Sequence, residues 1–177
     1  MKMKNRGFTL IELLTVIAII GILAGIIIPS VGAVRKGAKK AKVQSNFSQW
    51  AVAIEQFRQD YGYYPAPSLL GFPNVDEDSE FFLLLTGDDE STLNTKRIRY
   101  YSFPEDAFES NDDGTRIVDA FGNPNFGMAV DADRNGVIED DELNDAPLDP
   151  GQTKVRSSVI FWTTVPGGSD FEEVKSW

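Results

Sequence analysis

The 177-residue chain has no cysteine and no histidine. These absences exclude a disulfide-held fold, a thiolate or imidazole nucleophile, and the common cysteine and histidine zinc sites. Acid is also missing where it would be expected. Residues 1–54 hold eight Lys or Arg and one carboxylate, Glu12. From Pro65 onward the balance reverses, with 24 acids against eight bases. The net charge of −10 therefore belongs to the C-terminal part. Such a part repels phosphates and argues against nucleic acid as a partner. Carboxylate pairs such as Asp88-Asp89 and Asp112-Asp113 lie in Gly- and Asn-rich stretches and read as solvated turns, so no enzyme is expected.

One long hydrophobic run is present. A basic leader, residues 1–7, ends at Gly7, and residues 8–29 are apolar apart from Glu12 and close at Pro29. At about 1.5 Å per residue the run makes a helix roughly 30 Å long, enough to cross a bilayer. A carboxylate inside it is costly unless it is partnered or protonated, so Glu12 calls for a function. Gly21 and Gly25 form a small-xxx-small pair that permits close helix approach, and Pro29 removes an amide donor.

Beyond Pro29 the helical period continues over residues 30–64. Val31, Val34, Ala38 and Ala41, then Phe47, Trp50, Ile54, Phe57 and Tyr61, fall on one stripe. Tyr63-Tyr64-Pro65 ends the element, which would span about 80 Å in all. A basic stretch, Arg35, Lys36, Lys39, Lys40 and Lys42, lies just past the apolar run. It reads either as a solvated face near lipid headgroups or as an ion-pairing stripe against acidic heads of adjacent subunits. Counting cations alone would place the large part of the chain in the cytoplasm.

Residues 65–177 read as short elements between loops rich in Asp, Asn, Gly and Pro. Ser79–Leu85 fits a short helix stopped at Gly87. Ile98–Phe103, Phe126–Val130 and Ser157–Thr163 fit strands. The fold class expected is α+β: a long N-terminal helix, half transmembrane and half amphipathic, packed on a small antiparallel β-sheet head.

Residues 131–142, DADRNGVIEDDE, match the twelve-residue calcium-loop pattern in full. Asp131, Asp133 and Asn135 would supply side-chain oxygens and Gly136 the sharp turn. Val137 would offer its carbonyl, Glu139 would bind directly or through water, and Glu142 would bind in bidentate fashion. Pro124 and Pro147 leave no room for long flanking helices, so an isolated, structural calcium site is expected, not a paired sensor.

Gly7-Phe8-Thr9-Leu10-Ile11-Glu12-Leu13, with Pro29 closing the run, resembles the type IV prepilin family, which includes type IV pilins and the pseudopilins of type II secretion. Asp119-Ala120-Phe121-Gly122-Asn123-Pro124, Tyr63-Tyr64-Pro65 and the C-terminal Val174-Lys175-Ser176-Trp177 are similar to major-type pseudopilins, with Ala120 and Phe121 in place of Pro and Trp. The resemblance implies a pilin-like fold. It also implies cleavage between Gly7 and Phe8 by a prepilin peptidase, methylation of the new amine on Phe8, and retention of the helix as a single inner-membrane pass with the head in the periplasm. It further implies that Glu12 pairs with the N-terminal amine of a neighbouring subunit. The partners implied are other copies of the chain, other pseudopilins, the peptidase and the inner-membrane assembly platform. Many type IV pilins close a C-terminal loop with a disulfide. The absence of cysteine therefore favours the secretion branch, with a pilin for adhesion, motility or DNA uptake as the alternative and a membrane-tethered binding module or enzyme as a third reading. The resemblance also implies a calcium ion that stabilises this region, although the ligands of major pseudopilins need not map onto residues 131–142.

Overall fold

The structure, a computed structural model, describes residues 9–70, 72, 75–111, 114–139, 142–143, 146–164 and 173–177. It divides into two units, Met1–Ala38 and Lys39–Trp177.

A 52-residue helix, α1 (Leu10–Tyr61), contributes to both units. In the first unit it is the one described helix long and apolar enough to cross a membrane, and none of its most apolar window is buried by the rest of the chain. The helix continues through Pro29.

In the second unit α1 works as an amphipathic helix. Val43, Phe47, Trp50, Ile54 and Phe57, spaced by three and four residues, are buried. Their partner is an antiparallel sheet ordered β3-β6-β7, made from β3 (Phe126–Val130), β6 (Val159–Thr164) and β7 (Glu173–Lys175). Alternation along the strands gives the sheet two apolar faces. Phe126, Met128, Val130, Val159 and Phe161 join the cluster with α1. Ala129 and Ile160 point the other way and join Ile138 and Val155, with Trp162 and Trp177 packed alongside. The first cluster is strongly aromatic. The Trp50 ring lies 5.3 Å from those of Phe81 and Phe126, both edge-on, and Phe47 stacks on Phe161 at 5.8 Å.

The short helix lies where the pattern places it, as α2 (Glu80–Thr86). Ser79 is in extended conformation at its N-cap and Gly87 in the left-handed region (φ 73°) at its end. Gly87 is required twice over, since a Cβ there would also come within 2.9 Å of the Ile98 backbone. Phe126–Val130 is a strand as expected, and the last apolar segment forms β6 two residues later than its predicted start.

Three expectations are corrected. Ile98–Phe103 is not a strand. The N–H groups of Tyr100 and Tyr101 both donate to the Leu85 carbonyl at 2.9 Å, so the segment spends its donors on the end of α2 and has no ladder partner. The long helix stops at Tyr61, not Tyr64, because Gly62 turns left-handed (φ 84°). Two strand pairs form where loops were expected: the hairpin β1 (Phe108–Asn111) with β2 (Gly114–Ile117), and β4 (Ile138–Glu139) with β5 (Lys154–Val155).

Candidate functional site

The N-terminal site is built on the start of α1. Thr9 precedes the first helical residue, and Glu12 sits three positions on. The Glu12 Oε2 accepts the Thr9 N–H at 2.9 Å and the Thr9 hydroxyl at 2.7 Å, while the Glu12 N–H donates to Thr9 Oγ1 at 3.3 Å. This reciprocal arrangement is a capping box, which satisfies donors that the first helical turn leaves open. It also supplies donors to a carboxylate in an otherwise apolar run and fixes it at the helix start. Leu10, Ile11, Leu13 and Leu14 around it are exposed. Gly7 and Phe8, the expected cleavage pair, lie outside the described residues. Pro29 lies within α1.

The second site is the acidic loop that leaves β3, with Asp131 and Asp133 before β4 and Glu142 just after it. Oxygens of Asp131, Asp133 and Glu142 lie within 4.8 Å of one another. Backbone donors orient each group. Asp131, buried at 4 % exposure, accepts the N–H of Asn135 at 3.0 Å and of Gly136 at 2.8 Å. Asp133 accepts the Asn135 N–H at 3.0 Å, and Asn135 Oδ1 accepts the Val137 N–H at 2.8 Å. Glu142 reaches back to the N–H of Ala132 at 2.8 Å. Gly136 takes the left-handed conformation (φ 84°) expected at the sharp turn, and Arg134 takes it as well (φ 67°).

Three of the expected ligands therefore converge. Glu139 lies outside that group, since β4 places it opposite Lys154 of β5. Asn135 and Val137 are in the loop, but their described hydrogen bonds are internal to it. Asp140 and Asp141 lie outside the described residues. A cluster of hard oxygen donors carrying three carboxylates fits calcium better than a softer metal. Such an ion would offset the mutual repulsion of Asp131, Asp133 and Glu142, and the loop's backbone N–H groups already hold those side chains in place.

The loop is tied to the helix exit. Arg134 donates to the Gly62 carbonyl just past α1. Nearby, Tyr64 donates to Glu55 at 2.6 Å and Arg58 donates to the other Glu55 oxygen at 2.9 Å. Burial, reinforced by Glu55, pushes the Tyr64 phenol up to about 12. Lys96 donates to the Asp60 carbonyl and Tyr100 to the Asp60 carboxylate at 2.9 Å. The last turn of α1 is thus held by cations and hydroxyls from several loops, which suits the negative end of a helix.

A further cluster lies at Asp119–Asn123. Asp119 Oδ1 accepts the N–H groups of Phe121 (2.7 Å) and Asn123 (3.0 Å), and Oδ2 accepts the Thr163 hydroxyl at 3.0 Å. The Asn123 amide donates to Thr163 Oγ1 at 3.0 Å and to the Thr164 carbonyl at 2.8 Å. These residues clamp a tight turn onto β6 and have a structural role.

Residues 2–28 match the prokaryotic N-terminal methylation motif. With the Thr9–Glu12 capping box and the membrane-length apolar helix behind it, the N-terminus is of prepilin type. The chain is homologous, over part of its length, to type II secretion system core protein G and to type IV pilins. It is 37 % identical over 62 residues to type II secretion system core protein G of Escherichia coli K12, covering 35 % of this chain and 43 % of that protein. It is 29 % identical over 86 residues to core protein G of Klebsiella michiganensis, covering 46 % and 61 %. It is 41 % identical over 61 residues to the type IV major pilin protein PilA of Myxococcus xanthus, covering 34 % and 28 %. The chain thus spans less than two thirds of the length of each of these relatives. No solved structure matches the chain.

Proposed function

We propose that this protein is a structural subunit of a type II secretion pseudopilus. The observation that carries the reading is the methylation motif at residues 2–28 with Glu12 held at the start of an unburied apolar helix. A prepilin peptidase cleaves between Gly7 and Phe8 and methylates the amine of Phe8. The mature subunit stays in the inner membrane as a single pass with its head in the periplasm until the assembly platform draws it into the filament. There, the Glu12 carboxylate pairs with the Phe8 amine of a neighbour. Because Thr9 already orients the carboxylate, a second charged donor can join without repacking the helix start. The helix then supplies the filament core, and the acidic heads face outward.

The head carries a structural calcium ion held by Asp131, Asp133 and Glu142, with Asn135, the Val137 carbonyl and Glu139 completing the shell once the ion draws the loop together. Identity to PilA favours a second reading, a type IV pilin. Deletion separates them: loss of secreted proteins with surface fibres intact supports the pseudopilus, and loss of fibres or surface motility supports the pilin. In either filament, Glu12→Gln leaves a membrane-resident protein that does not cross-link to itself. Wild-type levels of cross-linked multimers in that variant would overturn the assembly role.

A further inference from the structure

Asn135, in the acidic loop, is the one asparagine in the chain that is followed by glycine. The pair is chemically labile for a simple reason. A main-chain nitrogen can attack the side-chain carbonyl carbon of the residue before it. A glycine nitrogen does so with least hindrance, because no Cβ crowds its approach. Both residues are exposed, and a Cβ built on Gly136 would meet nothing within 4 Å. Solvent therefore reaches both reacting groups.

The closed loop occupies every group that the reaction needs. The Gly136 N–H, on the attacking nitrogen, donates to Asp131 Oδ2 at 2.8 Å, and Asp131 is buried. The Asn135 side chain is held at both ends: Oδ1 accepts the Val137 N–H at 2.8 Å, and Nδ2 donates to Asp133 Oδ2 at 3.0 Å. Loss of the Gly136 proton would also put negative charge beside the Asp131 carboxylate, which disfavours it.

We propose that Asn135 is a spontaneous deamidation site whose rate is set by the opening of the acidic loop. Hydroxide takes the Gly136 amide proton, and the nitrogen forms a bond to Asn135 Cγ. The bond from Cγ to Nδ2 breaks, and Nδ2 takes a proton from water and leaves as ammonia. Water then adds to either carbonyl of the succinimide ring and opens it to aspartate or isoaspartate, with nothing oxidised or reduced. Aspartate adds a carboxylate beside Asp131, Asp133 and Glu142. Isoaspartate lengthens the main chain by one carbon next to Arg134, which holds the Gly62 carbonyl. Either product opposes reclosure, so each opening that reacts is recorded irreversibly.

The test follows conversion at Asn135 by peptide mass spectrometry in the full chain, held at mildly alkaline pH in detergent micelles. One sample is native and the other is in guanidinium chloride. Both buffers contain calcium, so the loop is ordered whether or not it needs the ion proposed for it. Three hydrogen bonds at a net factor of about five each make the native reaction roughly a hundredfold slower. Asp131→Ala frees the Gly136 N–H and, where its melt shows it folded, should react at least about fivefold faster than the native wild-type protein. If that variant does not fold, the wild-type comparison decides alone. Equal rates in native and denatured protein overturn the proposal. So does a folded Asp131→Ala no faster than wild type. An Asn135 that stays intact in the denatured chain while other asparagines convert also overturns it.

Discussion

Arg134, at the fourth position of the acidic loop, donates to the carbonyl of Gly62, the residue that ends the long helix. Arg134 holds a left-handed backbone (φ 67°) one residue from Asp133 and two from Gly136. The shape of the loop and the exit of the helix are therefore mechanically joined, and whatever orders the loop also fixes the start of the segment that follows α1.

The calcium ion proposed for the head is tested by melting. Calcium at a hundredfold excess over its dissociation constant stabilises by about 2.7 kcal/mol. For a domain of this size the melting temperature rises by about 5–10 °C. Asp133→Asn removes one of the three converging charges. The variant melts no lower than the wild-type protein without calcium and fails to respond when calcium is added. An unchanged melt in EDTA, with no heat on calcium titration, would remove the ion from the account.

Gly127 is the second test, because it exposes how tightly the outer face of the sheet is packed. It pairs with Trp162 across β3 and β6, and a Cβ at Gly127 would run into the Trp162 indole. Gly127→Ala should cost about 1–3 kcal/mol, the range for overpacking. Shortening the opposing side chain in Gly127→Ala/Trp162→Leu should recover part of that loss. Additive destabilisation in the double variant would show that the indole does not lie where it is described.

Glu80 makes stability pH-dependent. Burial works to raise its pKa, but the Ser91 hydroxyl, the N–H groups of Leu93 and Thr92 and the Thr92 hydroxyl outweigh it and hold the carboxyl below its ordinary value. A group whose pKa is lowered on folding stabilises the fold above its unfolded value, about 4.3, and loses that contribution as pH falls through the folded value. Chemical denaturation as a function of pH should show this loss below about pH 4.3, flattened in Glu80→Gln. At neutral pH the variant should be about 1–3 kcal/mol less stable, because the donors around residues 91–93 lose a charged acceptor. A parallel pH profile in variant and wild type would contradict the assignment.

Much of this was legible in the sequence because it rests on local rules. The apolar stripe from Phe47 to Phe57 and the alternation in Phe126–Val130 state their own periods. Gly87 and Gly136 mark backbone turns that only a residue without a Cβ accepts freely. Ile98–Phe103 has a strand's composition and lacks a strand's partner. What decides it is the Leu85 carbonyl at the end of α2, a contact that no local pattern announces. The same holds for β4 and β5, whose pairing joins Ile138 to Val155 across a loop of undistinguished composition. That pairing sets Glu139 opposite Lys154, next to the Asp131, Asp133 and Glu142 group and not within it. The Thr9–Glu12 capping box is written in the sequence as Thr-x-x-Glu.

The central claim is that the N-terminus is processed and built into a filament. The most direct measurement is the mass of the N-terminal peptide of the protein purified from its native envelope. The account predicts a chain that begins at Phe8 and carries one methyl group on its amine. A chain that keeps the Met1 leader, or one cut after Pro29, would contradict it.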